Sequence, residues 1–324
     1  MKKITVLGGG TGTFVVLSGL KKYEVDLAVI VTMMDSGGST GRLRDQLGVL
    51  PPGDVRQCLV ALSEASLLWR KLFLYRFEKG DLKGHNFGNI FLSALEKISK
   101  NYNEVLEAAS YILRCKGEVI PVTFKKTNLL AVYSDGKIIK GEGEVDEHRD
   151  TTHFIVKLSL SPKATANPRA IQRIKASDFV ILGPGDLYTS IIPTLLPIGV
   201  KQALKSSKAK FVYILNLMTK KGQTHHLTAK GHVNELEKYL GREIDYIIVN
   251  KGKISKEILE WYKKHGEYEV KDDLGDENNV IRTDLIYKRK VKKSKADVLQ
   301  RSILRHDSRK LAKLLITLFK NEKA

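Results

Sequence analysis

ITVLGGGTGTF (residues 4–14), VIVTMMDSGGSTGRLR (29–44) and LPPGDVR (50–56) decide how this chain folds. Each of the first two is an apolar strand that runs into a glycine-rich turn. Residues 4–7 read as a buried strand, Phe14–Leu20 as a helix and Leu27–Thr32 as a second strand. A glycine turn lets a backbone approach a ligand closely, and a helix that starts there offers free amides to a phosphate. Gly9, Gly10, Thr11 and Gly12 form the first such turn. The dinucleotide fingerprint is met at Gly8 and Gly10, but its last glycine is replaced by Thr13, which weakens a nicotinamide-enzyme reading. Asp35 stands where dinucleotide enzymes keep a ribose-binding acid. The Ser36, Gly37, Gly38 and Ser39 that follow it, with Arg42 beside them, fit a phosphate nest better. Pro51 and Pro52 stiffen the turn that presents Asp54, and a helix is expected over Val55–Trp69, with more helix at Leu72–Phe77.

Outward from this start, two more loops repeat the theme. GHNFGN (84–89) opens a helix at Ile90–Ile98 and offers His85, Asn86 and Asn89 either to a ligand or to the helix start. GPGDLYTS (183–190) follows an apolar strand at Phe179–Leu182 and offers Gly183, Pro184, Gly185, Asp186, Tyr188 and Thr189. Strands at Phe211–Leu215 and Ile244–Val249 end in Asn216 and Asn250, which suits the rule that ligands lie beyond strand C-termini in open α/β sheets. From Glu118 the period becomes two. VIPVTF, LLAVYS and KIIKGEGEVD read as strands of an antiparallel meander that carries no site, Thr127-Asn128 excepted. Further helices are expected at Asn103–Leu113, from Asn167-Pro168 to Ile174, and at Ser308–Lys320. The last carries its leucines on one face, as core packing requires.

The chain has 324 residues with 42% apolar and 28% charged content, which is enough for a sizeable core. No apolar run reaches the roughly 20 residues of a membrane span, and the N-terminus reads as a strand rather than an export signal. Cys58 and Cys115 show no metal or disulfide spacing, as in a reducing cytoplasm. His225 and His226 are adjacent and would diverge, so they make no shared metal site. The net charge of +19 makes nucleic acid, anionic lipid and anionic metabolites candidate partners, but the basic run at Lys288, Arg289, Lys290, Lys292, Lys293 and Lys295 lacks interleaved aromatics and reads as a solvated face or loop.

GGGTGT (8–13), DSGGSTGRLR (35–44), LPPGDVRQCLVALS (50–63), GHNFGNIFLSAL (84–95), GPGDLYTSIIPTLL (183–196) and NLMTKKGQT (216–224) occur in this order. Together they resemble the gluconeogenesis-factor (YvcK) branch of the CofD-like family over nearly the whole chain. The resemblance implies an α/β fold: a three-layer Rossmann-like sheet with a helical insertion and, from the residues above, a β-meander extension. It implies one unit over 1–324, with a first Rossmann-like half at about 1–115, a β extension at about 116–162 and a second half at about 163–324. It also implies a cytoplasmic factor for growth on gluconeogenic carbon, for cell shape and for envelope synthesis, binding a UDP-sugar such as UDP-N-acetylglucosamine. The CofD branch is instead a magnesium-dependent 2-phospho-L-lactate transferase of coenzyme F420 synthesis. Both branches usually carry two adjacent acids where this chain has Asp35-Ser36, so any magnesium would fall to Asp35 and Asp54 with one acid fewer. The expectation is therefore a nucleotide-sugar-binding regulator without turnover, with the transferase as the alternative. A homo-oligomer is left open, and neither a membrane span nor nucleic acid is expected.

Overall fold

The computed structural model describes residues 1–287 and 302–322, and the basic run at 288–295 lies outside them. The first half of the chain contributes β1 (Lys3–Gly8), α1 (Gly10–Leu20), β2 (Asp26–Val31), α2 (Gly38–Leu47), α3 (Pro52–Leu62), α4 (Leu67–Leu74), α5 (Phe87–Ile98), α6 (Tyr102–Leu113) and β3 (Glu118–Pro121). Next come β4 (Asn128–Tyr133), β5 (Ile138–Lys140), α7 (Glu142–Glu147) and β6 (Ile155–Ser161). The second half contributes α8 (Pro168–Ala176), β7 (Phe179–Leu182), α9 (Val200–Ser206), β8 (Lys210–Ile214), α10 (Ala229–Leu240), β9 (Tyr246–Asn250), α11 (Lys256–Lys264), β10 (Val280–Thr283) and α12 (Ser308–Asn321).

Seven strands form a parallel sheet in the order β10-β9-β8-β7-β1-β2-β3, flanked by helices. The central strands are buried along almost their whole length, as a sheet covered on both faces requires. From β1 the chain first builds outward through β2 and β3, then returns to place β7 on the other side of β1. The order therefore reverses between β1 and β7, which is where an open α/β sheet leaves a crevice at its C-terminal edge. The helical insertion, α2 to α6, lies between β2 and β3. A separate antiparallel sheet, β5-β4-β6, forms the β extension.

Some elements depart from the expectation. The helix expected over Val55–Trp69 breaks after Leu62, because Ser63 donates its hydroxyl to Leu113 O and its neighbours Glu64 and Ala65 bond the end of α6 instead. The chain leaves helix again at Tyr75, short of Phe77. VIPVTF belongs to the edge of the parallel sheet rather than to the meander. KIIKGEGEVD stops being a strand at Gly141, whose φ of 106° turns the chain into α7. The C-terminal helix packs as expected: α12 lies on α1, where Gly19 leaves room for Ser308 O and Ala312, and Phe319 meets Phe179 at 4.4 Å.

Candidate functional site

The crevice between β1 and β7 holds a cleft of about 260 Å³. Its floor is the first glycine turn and its neighbour wall is the 183–186 loop. A Cβ on Gly12 would fall 1.9 Å from Pro184 O, so glycine there lets the two loops touch. That contact requires glycine whether or not a ligand is bound. Gly9, Gly10, Thr11, Pro184, Gly185 and Asp186 also line the cleft. Gly183 lies behind it, against Ile191 and Ile214.

Helices α1 and α2 begin at this cleft, at Gly9 and Gly37, with no side-chain cap and no acid in the first turn. The Gly37 amide donates to Asp35 Oδ1 at 3.0 Å. The starts of α3 and α7 also line the cleft, with acids in their first turns. The positive end of a helix dipole attracts anions. Gly37 and Ser39 line the cleft, whereas Ser36, Gly38 and Arg42 do not; Arg42 reaches outward to Lys83 O.

The loop at 84–89 is bound up in its own network. Asn86 caps α5 by accepting from the Asn89 amide, and His85 Nδ1 lies 3.2 Å from Ser39 Oγ. Asn89 donates to Ser39 Oγ and Thr40 Oγ1 and accepts from Arg56 Nε at 2.7 Å. Only Asn89 of the three reaches the cleft, and it arrives with Arg56. His85 sits behind it, its pKa lowered by burial and by the nearby Arg42 and Arg76. Asn216 also lines the cleft and donates to Gly185 O at 2.8 Å. Tyr188 and Thr189 do not line it. A π-helical turn over Leu187–Ile191 sends both into the core, where Tyr188 lies near Glu235 and Tyr239, and it turns Ser190 to the cleft. Thr127 and Asn128 are likewise engaged elsewhere, with Pro162 O and Arg44.

Carboxylates gather on the other side. A Cβ on Gly53 would fall 2.3 Å from Asp35 Oδ2 and one on Gly9 2.2 Å from Asp54 Oδ2, so glycine makes room for both acids, and both line the cleft. Glu142 and Asp146, both from α7, join them. Ser36 makes that possible: its Oγ accepts from the Gly143 amide at 2.9 Å and its own amide donates to Glu142 Oε2 at 3.3 Å. Burial pushes the Glu142 carboxyl well above the usual range, and Asp35, Asp146 and Asp54 push it further. Lys220 bridges Asp146 and Asp186, at 2.6 Å from the latter. Burial opposes its charge, but the two carboxylates outweigh that and hold it above an ordinary lysine. Glu142, Asp146 and Lys220 were not anticipated as site residues, although the acid-rich GEGEVDE and the NLMTKKGQT segment carry them.

The far wall was not anticipated either. Trp261 and Tyr262 of α11 face the cleft with Leu304, Arg305 and His306. Tyr262 OH is 2.6 Å from Ser302 Oγ and accepts from the Leu304 amide. His306 Nε2 is buried without a hydrogen-bond partner among the described residues, and burial lowers the ring's pKa to about 4, so it stands neutral. Among the described residues no group of three or more His, Cys, Asp or Glu side chains could hold a metal ion by itself. His225 and His226 stack edge to face, and Cys58 is sealed in the core with its thiol pKa raised by burial. Among the described residues no helix is long and apolar enough to cross a membrane.

Residues 4–290 match the family model described as "2-phospho-L-lactate transferase CofD". The gluconeogenesis factor of Bacillus subtilis is 38% identical over 326 residues, covering 98% of both chains. An Aquifex aeolicus protein that carries the same designation provisionally is 40% identical over 331 residues, covering 99% of this chain and 98% of its own. A UPF0052-family protein of Bacillus halodurans has a crystal structure that superposes with a TM-score of 0.88 at 34% identity, covering 98% of this chain and all of that one.

Proposed function

The chain belongs to the CofD family, and from that premise we propose that it is a nucleotide-sugar-binding regulatory factor that does not turn its ligand over. The observation that carries this reading is the pair of uncapped helix starts, α1 and α2, aimed at one crevice. They suit a diphosphate. Arg56 and Arg149 add positive charge to the same cleft. The Trp261 and Tyr262 wall suits the flat base, and Asn89 and Asn216 suit the hydroxyls of ribose or sugar. A UDP-sugar of the N-acetylglucosamine type, read in the cytoplasm to adjust gluconeogenic growth, cell shape and envelope synthesis, fits these groups, and the relatives' designation supports the gluconeogenic part of that reading. Cys58 is sealed in the core, and Ser39 Oγ, the cleft hydroxyl that lies 3.2 Å from His85 Nδ1, is also engaged by the Asn86 amide and Asn89, which favours binding over catalysis. Calorimetry with UDP-N-acetylglucosamine tests the reading. Saturable heat is expected, and a folded sample that gives none at millimolar ligand overturns it.

One observation favours a second reading. Asp35 and Asp54 face the same cleft and offer only oxygen ligands, the kind magnesium takes, and magnesium commonly uses one or two carboxylates plus substrate phosphates. The pair fits that half of a coordination sphere, with a donor diphosphate supplying the rest. Magnesium held there would neutralise the donor's diphosphate as its leaving group departs. The helix starts would orient the donor, which accounts for most of the rate such a transfer needs. Incubation with a deazaflavin acceptor, guanylyl-linked phospholactate and magnesium decides: a gain of the phospholactyl mass makes the chain a transferase, and an unchanged acceptor leaves the binding reading.

A further inference from the structure

The helix α4, LLWRKLFL, is built the wrong way round for a helix on a globular surface. An amphipathic helix normally buries its apolar stripe and shows water its charges. Here Phe73 alone is buried, held by ring contacts to Phe87 at 6.0 Å and Phe91 at 5.1 Å. Leu68 is 76% exposed and Leu67 58%, and Leu74, Tyr75 and part of Trp69 are open as well. Helical spacing puts Leu67, Leu68, Lys71 and Tyr75 on one outward face. Five large apolar side chains clustered in nine residues exceed the isolated exposed leucines that any surface carries.

The charge along this face is predominantly positive. Residues 65–77 hold Arg70, Lys71 and Arg76 and no acid, with Glu64 and Glu78 at either end and Arg76 turned toward the cleft. Hydrogen bonds bring further bases alongside. Lys21 donates to Ser63 O at 2.6 Å, the Glu64 amide to Arg114 O at 3.1 Å, and the Lys116 amide to Leu62 O at 3.0 Å. Glu64 is the one acid in this set. Protruding apolar tips, an aromatic at either end and a collar of lysine and arginine are the features that bind the headgroup layer of an anionic bilayer: the apolar tips enter it, and the bases meet its phosphates.

We propose that α4 is a peripheral docking face for an anionic lipid surface. A second copy of the chain fits less well. A two-fold pairing on this face would bring together two patches that each carry Arg70 and Lys71, and like charges repel. The side chains protrude rather than line a groove, so they offer a partner helix no hole to fill.

The test uses the full chain and sedimenting vesicles, either phosphatidylcholine alone or phosphatidylcholine mixed with phosphatidylglycerol. The chain should pellet with the anionic vesicles, less so as salt rises. The double variant Leu67→Asp, Leu68→Asp should lose about tenfold or more in partitioning, since both substitutions replace exposed apolar tips. Both positions are exposed, so far-UV circular dichroism should match the parent, and Lys71→Glu gives a second, milder loss. Equal pelleting with both vesicle types overturns the proposal, as does unchanged binding by the double variant. So does a chain that ignores vesicles and elutes as a dimer that the double variant breaks. Retention on polyglutamate that the double variant abolishes, without vesicle binding, would assign the face to an acidic protein instead.

Discussion

The two ends of the parallel sheet are built to opposite rules. At the N-terminal edge, beside β1, β2 and β7, polar side chains are tied to one another and to the strand backbone. Arg173, from α8, reaches under the sheet to donate to the Asp26 carboxylate at 2.9 Å, to Asp26 O at 2.6 Å, to Ile4 O and to Thr5 Oγ1. Thr5 in turn meets Ser177 at 2.7 Å, and Asp178 accepts from the Lys3 amide at 2.6 Å. The Arg173 guanidinium holds the Asp26 carboxyl below its usual range. At the C-terminal edge, α1 and α2 start without a side-chain cap, His306 Nε2 is buried without a hydrogen-bond partner among the described residues, and Glu142, which accepts from the Ser36 amide, is desolvated among like charges. Buried polar groups without partners cost stability, and a fold keeps them where something else is to be bound. The difference predicts that changes at the lower edge cost the most stability and spare binding, and that changes at the upper edge cost less stability and act on the cleft.

The largest stability effect should come from Arg173→Met. The methionine fills the space but leaves the carbonyls of Ile4 and Asp26 without their donor, at a cost of about 3 kcal/mol. Chemical denaturation measures it, and calorimetry should show nucleotide-sugar affinity unchanged within about twofold. A large loss of affinity in a folded Arg173→Met variant would break the contrast between the two ends.

Gly12→Ala comes next. Its new methyl would meet Pro184 O at 1.9 Å, so one loop must move. Overpacking of this kind costs about 2 kcal/mol, and the displaced loops should lower ligand affinity by about tenfold. Affinity equal to the parent's would show that the 183–186 loop is not part of the binding site.

Lys220→Met should cost less, about 1.5 kcal/mol, because Asp146 and Asp186 keep some contact with water and relax toward it. Its sharper signature is local. The variant should loosen α7 from the cleft, seen as faster amide exchange over 142–147 with little change in β1. Uniform exchange would mean that Lys220 does not tether that helix.

The central strands of the sheet were legible in the sequence, whereas the Arg173 network, the edge strands β3 and β10 and half of the upper edge were not. Apolar runs at 4–7, 27–32, 179–182 and 211–215 announce parallel strands because both faces are buried, a signal local to each run. Glycine turns after them are local too, so Gly9 to Gly12 and Gly37 were found where they stand. Glu142, Asp146, Lys220 and Trp261 were missed because they reach the cleft through contacts between segments far apart in the chain. No window of sequence shows the Ser36–Gly143 bond that brings α7 across. Tyr188 and Thr189 were misplaced for a related reason. Hydroxyls that follow a glycine turn look alike from sequence, and the π-helical turn decides which of them faces outward. The alternation in KIIKGEGEVD suggested a strand that Gly141 ends, and that hid an acidic helix inside an expected meander.

The smallest effect bears most directly on what the upper edge is for. Burial and three neighbouring carboxyls raise the Glu142 pKa in the folded protein above its unfolded value. The folded state therefore holds a proton that the unfolded chain has already released, and stability must fall as pH rises from the ordinary carboxylate range through that raised value. Glu142→Gln keeps an oxygen for the Ser36 amide and removes the titration. Its unfolding free energy should thus lie above the parent's at the alkaline end of that window and converge with it at the acidic end, where Glu142 is protonated in both states. Parallel curves across the window would mean that Glu142 is not desolvated as the geometry indicates. A ligand adds a further discriminant. A diphosphate alone brings more negative charge to Glu142 and should extend the fall to higher pH, whereas a diphosphate with magnesium brings positive charge and should end it at lower pH. The same titration with and without magnesium therefore separates a cleft that binds a free nucleotide sugar from one that needs a metal between Asp35 and Asp54.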